Sequence, residues 1–464
     1  MYRFISIPIL INPLITYTSQ KQYTLDEIYN MNKSKLIVID DRPNQYTVHD
    51  VSDFAKIHPG GKRIYEAKPN GLLSEFWQRY PIHYKNAKDI LSETQIGVLA
   101  KKDINNIKKT TNDDYLQNKQ PMRSSEYHIL STFPFCGETP KKYLNSFITP
   151  TSHTYIRNNN PVPFIFKEFT IEGIKYNIND LDMYPTTTFT TTMRCGGDRR
   201  NEFKNSRGQQ WGIGAISTGI WTGCLLQDII GKINPTKNKY INITCADGFK
   251  ISIPISMYGK ILLSTLHNGK PITRDHGGPL RIIVPGLIGA RNPKWVTSIS
   301  FSNNELESPE QTGISYKILQ EKDLDHIPEI PPMMSLSVTS AITNYIYQDD
   351  YIQVEGYALG DQKMHSKVAR VYIKISSYGD SSYDYSIQNA ELLEGSDQEE
   401  GYAFAWTRWR ARIPIKKIRL PIKVTCFCID TQNNIQPNIT CLENIRGLNN
   451  HSPHSVIINK SLLV

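Results

Sequence analysis

The chain has 464 residues, which is long enough for roughly two to four domains with hydrophobic cores of their own. Hydrophobic residues make up 39% and charged residues 21%, which excludes an intrinsically disordered protein. The net charge of +9 is dispersed over the chain rather than gathered in a basic run, which disfavours a nucleic-acid-binding protein. Seven widely spaced cysteines argue against a disulfide framework.

The first 20 residues form an apolar segment with a single charged residue, Arg3. Pro8 and Pro13 disfavour a helix there. We interpret residues 1–20 as either a targeting segment or a docking arm, and both readings stay open. No apolar stretch of about 18 residues occurs, so a transmembrane helix is not expected.

A compact domain is predicted for residues 21–100, with a helix or turn at YTLDEI, a short strand at LIVIDD and a turn at HPGG. The polar stretch at 101–125 predicts a flexible linker. From 126 to 332 the pattern predicts a mixture of strands and helices. FKEFTIEGIKYNI predicts two strands and a turn, WTGCLLQDIIGKI a helix and LRIIVPGLIG a strand.

The last predicted domain, residues 333–464, follows the Pro-rich stretch PEIPPMM. Its alternating strands YIQVEGYAL, ARVYIKISSY, FAWTRWRARIPI and IKVTCFCID predict an immunoglobulin-like β-sandwich. Cys426 and Cys428 fall on one face of a strand and suit a core better than a metal pair. Trp406 and Trp409 are likewise predicted to lie in the core rather than at an interface.

Two histidines, His58 in HPGG and His83 in RYPIH, stand 25 residues apart. On one continuous helix they would lie about 37 Å apart, so a shared site requires that the chain turns back between them. Intervening Gly and Pro residues permit such turns. Two neutral imidazoles suit the two faces of a haem iron, although two unrelated surface histidines remain an alternative at this point.

Residues 21–100, through YTLDEI, HPGG, FWQRYPIH and ILSETQIGVL, resemble a cytochrome b5-like domain, above all the version fused to sulfite oxidase. This resemblance implies that His58 and His83 ligate the iron of haem b. Cytochrome b5-like domains are usually strongly acidic, which helps them to bind basic cytochrome c. Here 11 Lys and Arg residues stand against 10 Asp and Glu residues, so that electrostatic steering is expected to be weaker.

Cys195 lies in the stretch TTMRCGGDRRNEF, between Arg194 and the pair Arg199 and Arg200. Neighbouring arginines favour a thiolate because a positive charge stabilises the charged form. From the residues alone, Cys195 could be a nucleophile, a metal ligand or a buried core residue.

Two longer stretches carry a second resemblance, which spans residue 126 to the C-terminus. RCGGDRRNEF with WGIGAISTGIWTG, and then RDHGGPLRIIVPGLIGARNPKW at 274–295, resemble the two signatures of the sulfite oxidase and assimilatory nitrate reductase family. In that family a cysteine thiolate binds molybdenum, which a pterin dithiolene also holds. The resemblance implies that Cys195 is this ligand, in a mixed α+β molybdopterin domain at 126–332.

The same resemblance implies which residues surround the pterin and its phosphate. They are Tyr155, Ile156, Arg157, Asn158, Asn159, Asp247, His276, Arg281, Asn292, Pro293 and Lys294. Two positions depart from the family pattern. Asn159 replaces a histidine but can still donate and accept hydrogen bonds. Asp198 replaces an asparagine and is expected to add negative charge near the thiolate and an anionic substrate.

The substrate pocket of sulfite oxidases consists of three arginines, a tryptophan and a tyrosine. Here these positions are occupied by Arg157, Arg200, Trp211, Tyr316 and Arg446. Arginine matches the oxygens of a small dianion such as sulfite in charge and geometry, and nitrate reductases of this family have methionine at the position of Arg446. The resemblance thus implies oxidation of sulfite to sulfate, with electrons passing through haem b to cytochrome c.

Residues 333–464 resemble the dimerisation domain of the family, so a homodimer is expected. Sulfite oxidases with a haem domain work in the mitochondrial intermembrane space, which is therefore the expected location. Asn159, Asp198, the nearly neutral haem domain and the apolar N-terminus motivate an alternative. In it, the chain is a catalytically impaired, structural subunit of a larger mitochondrial respiratory complex.

Overall fold

The computed structural model divides the chain into two compact units, residues 1–114 and 115–464. It describes residues 20–42, 46–58, 64, 65, 67, 71–73, 87–110, 120–231, 235–378, 386–438, 441 and 443–459. Residues 1–19 of the segment predicted at 1–20, and also His83, lie outside these residues. No helix in the described ranges is long and apolar enough to cross a membrane.

The described residues of the first unit form four strands and four short helices. Their bounds are β1 (Gln22–Tyr23), α1 (Leu25–Met31), β2 (Ile37–Asp40), β3 (Thr47–Asp50), α2 (Phe54–Ile57), α3 (Lys88–Thr94), β4 (Gln95–Leu99) and α4 (Lys101–Thr110). The strands form one sheet in the order β1-β4-β3-β2, with β1 parallel to β4 and the other pairs antiparallel.

Both faces of this sheet are covered by apolar side chains. Ile37 and Ile39 of β2 belong to one buried cluster and Val38 to the other, because successive residues of a strand point to opposite faces. The predicted helix at YTLDEI is α1, which begins at a capping box between Thr24 and Glu27. The predicted strand LIVIDD is β2.

The predicted linker at 101–125 differs from the structure in its first part. Residues 101–110 form helix α4, and Ile107 is buried in the core of the first unit with Ile104 packed beside it. Two isoleucines about one turn apart are enough to dock a helix that is otherwise polar.

The second unit begins with a strand-rich region. Its elements are β5 (His128–Thr132), β6 (Phe135–Glu138), β7 (Ile156–Arg157), β8 (Glu168–Ile171), β9 (Ile174–Asn177), β10 (Thr186–Arg194), β11 (Ile216–Leu225), α5 (Leu226–Ile230), β12 (Tyr240–Cys245), β13 (Lys250–Pro254), β14 (Leu262–His267), β15 (Lys270–Pro271), β16 (Arg281–Ile283) and β17 (Val296–Ser302). Short 3-10 helices lie at Lys141–Asn145, Thr151–His153, Ile178–Met183, Arg200–Glu202, Pro235–Lys237, Ile255–Lys260, Arg274–His276, Gly289–Arg291 and Glu321–Glu329.

The described strands of this region form three sheets. One has the order β10-β11-β14-β15, with β16 also paired to β14, and a second has the order β13-β12-β17-β8-β9. The third is the small sheet β5-β6-β7. The predicted strands at FKEFTIEGIKYNI are β8 and β9. The predicted helix at WTGCLLQDIIGKI was wrong in its first half, because β11 runs to Leu225 and only five residues of helix follow.

The C-terminal domain is a β-sandwich, as the alternating pattern predicts. Its strands are β18 (Thr339–Tyr347), β19 (Tyr351–Leu359), β20 (Val368–Ser377), β21 (Ser386–Asn389), β22 (Glu391–Leu392), β23 (Thr407–Pro414), β24 (Ile422–Asp430) and β25 (His454–Ile458), with a 3-10 turn at Ile415–Lys417. They form two four-stranded sheets, β18-β19-β23-β22 and β21-β20-β24-β25.

Side chains from both sheets fill the sandwich core. Cys426, Cys428 and Trp409 are buried in it, and Trp406 lies in a neighbouring cluster shared with Ile216 of β11. The core interpretation of these cysteines and tryptophans is therefore confirmed. The indole of Trp406 donates to the carbonyl of Phe147 at 2.9 Å, so this residue joins the sandwich to the preceding region.

Candidate active site

A cavity with about 710 Å³ of open space, including the solvent at its mouth, lies among strands and loops of the second unit. The residues that line it are Tyr155, Arg157, Asn159, Met193, Cys195, Gly196, Asp247, Phe249, Asp275, His276, Arg281, Gly289, Ala290, Asn292, Pro293, Lys294, Trp295 and Tyr316. Segments far apart in sequence thus meet at one place. Most residues predicted to surround the pterin are among them.

Cys195 follows the last residue of β10 and is partly exposed toward the cavity. Its backbone N–H donates to the carbonyl of Ala215 at 2.9 Å, which fixes the start of the Gly-Gly turn. Burial raises the pKa of the thiol, while Arg200, the N–H of Gly197 and Arg157 act in the opposite direction. The site therefore contains the positive charge that a deprotonated Cys195 requires.

The two arginines after the turn have different environments. Arg199 has a left-handed backbone with φ of 61°, and its guanidinium forms two 2.7 Å bonds with Glu202 and one of 2.8 Å with the carbonyl of Ser452. It therefore ties the turn to the sandwich. Arg200 donates to three backbone carbonyl groups, those of Arg446, Gln209 and Gly447.

Arg157, Arg200 and Arg446 form a positively charged group beside Cys195. Burial lowers the pKa of Arg200 to about 10, and the charges of Arg446 and Arg157 contribute to this shift. Within the described ranges none of the three guanidiniums is paired with a carboxylate. Unpaired buried cations are costly, and binding of an anion removes that cost.

Two uncharged donors belong to the same neighbourhood. Trp211 is fully buried beside Cys136 and Cys195, and its indole N–H has no hydrogen-bond partner among the described residues. Tyr316 lies near the charges of Arg157 and Cys195, and burial raises the pKa of its phenol. The side chain of Asn159 is hydrogen-bonded to this phenol. Neutral donors next to three guanidiniums suit an oxyanion.

His276 and Arg281 form another part of the cavity wall. The Nε2–H of His276 donates to the carbonyl of Thr151 at 2.9 Å, which leaves Nδ1 as an acceptor. Burial, with Arg281 and Lys294 nearby, lowers the pKa of His276 to about 3, so its ring is neutral at pH 7. Arg281 donates to the carbonyls of Asn292 and His276, at 3.1 and 2.9 Å.

Lys294 is the second cation of this wall. Its ammonium donates to the side-chain oxygen of Asn158 and, at 2.9 Å, to the carbonyl of Asp275. It also lies 4.2 Å from the ring centroid of Trp295. Burial and the charge of Arg281 lower the pKa of Lys294 from 10.5 to about 7. Arg281 and Lys294 together can hold a phosphate group.

The cofactor-free protein is expected to become more stable as the pH rises from 7 to about 10. In this window the unfolded chain binds a proton at Lys294 that the folded chain has released, so the free energy of unfolding increases with pH. Urea unfolding at pH 7 and pH 9 measures the slope, which Lys294→Met should reduce. The exposed Lys250→Met is the control, and equal slopes in both variants would contradict the assignment.

Asp198 differs from its expected role. It is buried and forms an ion pair with Arg194, whose Nε lies 2.9 Å from its Oδ2. Burial raises the pKa of this carboxyl to about 6 in spite of the pair. The expected negative charge beside the substrate is therefore largely balanced by Arg194, which the sequence placed next to Cys195 without indicating its partner.

Some predicted residues lie behind the cavity rather than in its wall. Ile156 is part of a small apolar cluster with Tyr127 and Phe135, and Asn158 is buried beneath Lys294. Asn292 lines the cavity, but its amide holds the loop by donating to the carbonyls of Leu287 and Ile288.

Several wall residues were not predicted, among them Met193, Phe249, Gly289 and Asp275. Gly289 is required because a Cβ there would lie 2.4 Å from the hydroxyl oxygen of Tyr155. Asp275 stands directly before His276 in the second signature, and its acidic side chain was the only sequence signal that could have drawn attention to it.

Comparisons with known proteins agree with this geometry. Residues 165–310 match the family described as oxidoreductase molybdopterin binding domain, and residues 332–461 match the Mo-co oxidoreductase dimerisation domain. The chain therefore belongs to the molybdopterin oxidoreductases.

Within this class, sulfite oxidases are among the proteins to which the chain is similar. It is 29% identical over 443 residues to mitochondrial sulfite oxidase of Rattus norvegicus, covering 88% of this chain and 79% of the relative. A nitrate reductase [NADPH] of Pichia angusta is 24% identical over 68% of this chain and 43% of its own length. The sulfane dehydrogenase SoxCD of Paracoccus pantotrophus has the same fold, with a TM-score of 0.59 at 20% identity over 75% of this chain and 89% of that chain.

The predicted haem ligands belong to the first unit. His58 is half-buried at the end of α2, with its ring 5.5 Å from that of Phe54. Since His83 lies outside the described residues, the haem site stays a prediction, as does the cytochrome b5-like fold.

Proposed function

We propose that this chain is a sulfite oxidase, which converts sulfite to sulfate at a molybdenum–pterin centre. The observation that carries the proposal is the group of three arginines, Arg157, Arg200 and Arg446, that lies beside Cys195 without a carboxylate partner in the described part of the chain. A dianion is the complementary ligand for such a group, because it offers three oxygens and two negative charges.

The cavity residues fit the proposed cofactor. Cys195 offers a soft ligand to the metal, the indole N–H of Trp211 is an unused donor, and Arg281 and Lys294 are cations that suit the pterin phosphate. When bound, the molybdenum–pterin group supplies the two-electron redox chemistry. The protein residues bind, orient and desolvate the reactants.

The arginines are proposed to bind sulfite through its oxygens, which leaves its sulfur atom free to face the metal. Arg200 is held in place for this task, because its Nε donates to the carbonyl of Arg446 at 2.7 Å and its Nη1 to that of Gln209 at 2.8 Å. Preorganised cations need no rearrangement when charge changes during the reaction. Sulfate, with its charge spread over four oxygens, is held by the same groups until it leaves.

The electron path is part of the proposal. His58 and His83 would ligate a b-type haem, which would accept electrons one at a time and transfer them to cytochrome c. The relatives that are named as mitochondrial sulfite oxidases support a mitochondrial location, for which we propose the intermembrane space. The dimerisation domain supports a homodimer.

The alternative of an impaired structural subunit is not favoured. Asn159 is engaged by the phenol of Tyr316, and Asp198 is balanced by Arg194, so neither departure removes the anion-binding groups. A nitrate reductase remains the competing substrate assignment, because one such enzyme is among the relatives. Arg446 favours sulfite, since a third guanidinium suits a dianion better than singly charged nitrate.

Addition of sulfite to the oxidised protein without oxygen is the test. We expect the absorption bands of reduced haem to appear as soon as the two solutions are mixed. Nitrate added to the chemically reduced protein is the parallel measurement. Reoxidation of the haem by nitrate, without reduction by sulfite, would overturn the substrate assignment. A haem spectrum that neither anion changes would overturn the proposed catalytic function.

A further inference from the structure

An ion pair joins the start of the second unit to the cavity wall. Arg123 and Asp275, 152 positions apart, are linked by two bonds of 2.8 Å, from Nε and Nη2 to the two carboxylate oxygens. Their side chains are only 12% and 6% exposed. Arg123 also covers the ring of Phe135, with 4.3 Å from its Cζ to the ring centroid. Two-point contact and stacking leave its guanidinium a single orientation.

The contacts of this pair extend to Asn158 and Phe135. The side-chain amide of Asn158 donates to Asp275 at 3.1 Å, and its backbone N–H donates to the carbonyl of Phe135 at 3.1 Å. The contacts therefore form a closed cycle. It runs from Arg123 to Asp275, from Asp275 to Asn158, from Asn158 to Phe135, and from Phe135 back to Arg123. Lys294 completes the arrangement by donating to the side-chain oxygen of Asn158 and the carbonyl of Asp275.

The electrostatic consequence concerns the anion that the cavity binds. Asp275 lies in the wall, where an unpaired carboxylate would repel a phosphate and would compete for the ammonium of Lys294. Arg123 satisfies both oxygens of that carboxylate from the side. Lys294 is consequently free to point its remaining N–H bond at a ligand.

We propose that Arg123 is a positioning residue of the cofactor site, which sets Lys294 and Asn158 by neutralising Asp275. The inference rests on the proposed function in that it takes the ligand of Lys294 to be the phosphate of the molybdenum–pterin group. It adds a residue outside both sequence signatures, at the N-terminal edge of the second unit. Arg123 itself is not among the residues that line the cavity, so its proposed effect is exerted through Asp275.

Molybdenum and pterin content of the full-length protein tests this role. Arg123→Gln is expected to lower both about tenfold per chain, the usual effect of losing a partner that orients a binding group. Arg123→Lys should recover part of the loss. The double variant Arg123→Gln with Asp275→Asn should recover more than the single variant, because no unpaired carboxylate remains while the bond from Asn158 can still form.

Two further measurements separate this role from general damage. The control variant is Arg410→Gln, which removes the arginine of the partly buried ion pair with Glu355 in the sandwich. It should lose about as much thermal stability as Arg123→Gln but keep the molybdenum and pterin content of the wild type. In cofactor-free protein, the amides of His276 and Trp295, which donate to Thr273 and Gly277, should exchange hydrogen faster in Arg123→Gln than in Arg410→Gln.

The outcomes distinguish the two proposals. A wild-type protein that carries no molybdenum or pterin contradicts the proposed function, and the exchange measurement then still decides the role of Arg123. Equal content in wild type and Arg123→Gln overturns the positioning role alone. Equal hydrogen exchange in the two variants, or no recovery in the double variant, overturns it as well.

Discussion

Replacement of Cys195 by serine is expected to reduce the rate of sulfite-dependent haem reduction by more than about 100-fold, the upper range for loss of a residue that only orients a metal ligand. A serine hydroxyl is a hard donor that stays protonated near neutral pH, whereas the thiolate is soft and is favoured by Arg200 and Arg157. Stopped-flow absorbance of the haem after mixing with sulfite measures the effect.

The pterin content of Cys195→Ser should stay close to that of the wild type. The cations assigned to the phosphate, Arg281 and Lys294, are anchored by contacts that do not include Cys195, namely those to His276, Asn292, Asn158 and Asp275. Loss of reactivity with retained pterin would separate a metal ligand from a residue that merely shapes the cavity.

Cys441→Ser is the matched control, since Cys441 is also a partly exposed free cysteine of the second unit. Its thiol contacts Ser452 and Asn450 in the loop before β25. We expect it to leave haem reduction unchanged. A Cys195→Ser protein that reduces its haem as fast as Cys441→Ser would exclude Cys195 as the essential ligand.

The sequence predicts much of the cavity wall because the relevant residues stand in two long contiguous signatures. His276, Arg281 and Lys294 lie within one stretch of about 20 residues, so recognition of that stretch locates all of them. The sandwich was predictable for a related reason. Its period-two alternation over β19, β20, β23 and β24 is a local property of the chain.

Features that depend on distant partners could not be read from the sequence. Arg199 and Arg200 are adjacent and chemically identical, yet one is bound to Glu202 and the carbonyl of Ser452 while the other supports the anion site. The pair of Arg123 and Asp275 spans 152 positions. Such partners are set by the packing of loops, which no local pattern encodes.

The misassigned elements have the same origin. Residues 221–225 include the apolar Trp221, Cys224 and Leu225, which suit a strand or a helix. Pairing of this segment with β10 and β14 makes it a strand. Residues 101–110 are polar enough for a linker, and burial of Ile107 in the first unit decides for a helix. Tertiary packing overrode local preference in both cases.

Arg446→Met is expected to lower kcat/KM for sulfite about 10- to 100-fold, the usual effect of losing one charged hydrogen bond. KM should rise while kcat changes little if the guanidinium binds sulfite and the transition state equally strongly. Steady-state reduction of cytochrome c at varied sulfite concentration measures it. The backbone carbonyl of Arg446, which accepts from Nε of Arg200, is retained in this variant, so the neighbouring arginine keeps its position.

The same variant is expected to unfold at a higher urea concentration than the wild type when no substrate is present, with a gain of about 1 kcal/mol. Nε of Arg446 is buried without a hydrogen-bond partner among the described residues, and burial lowers the pKa of this group, with the charges of Arg157 and Arg207 adding to the shift. A buried cation without a partner lowers the free energy of unfolding until an anion binds beside it. Methionine carries no charge, so the variant does not have this penalty.

Arg207→Met provides the control, because Arg207 lies exposed on the loop that is hydrogen-bonded to Ile445, next to Arg446. We expect its effect on KM to be small and to vanish at high salt, as for an exposed charge. If Arg446→Met lost stability and kept its KM for sulfite, Arg446 would be a structural residue, and the case for a dianionic substrate would rest on two arginines, a number that nitrate would satisfy as well. The opposite result, weaker sulfite binding in a more stable protein, would mean that the chain tolerates an unfavourable buried charge because its substrate needs it.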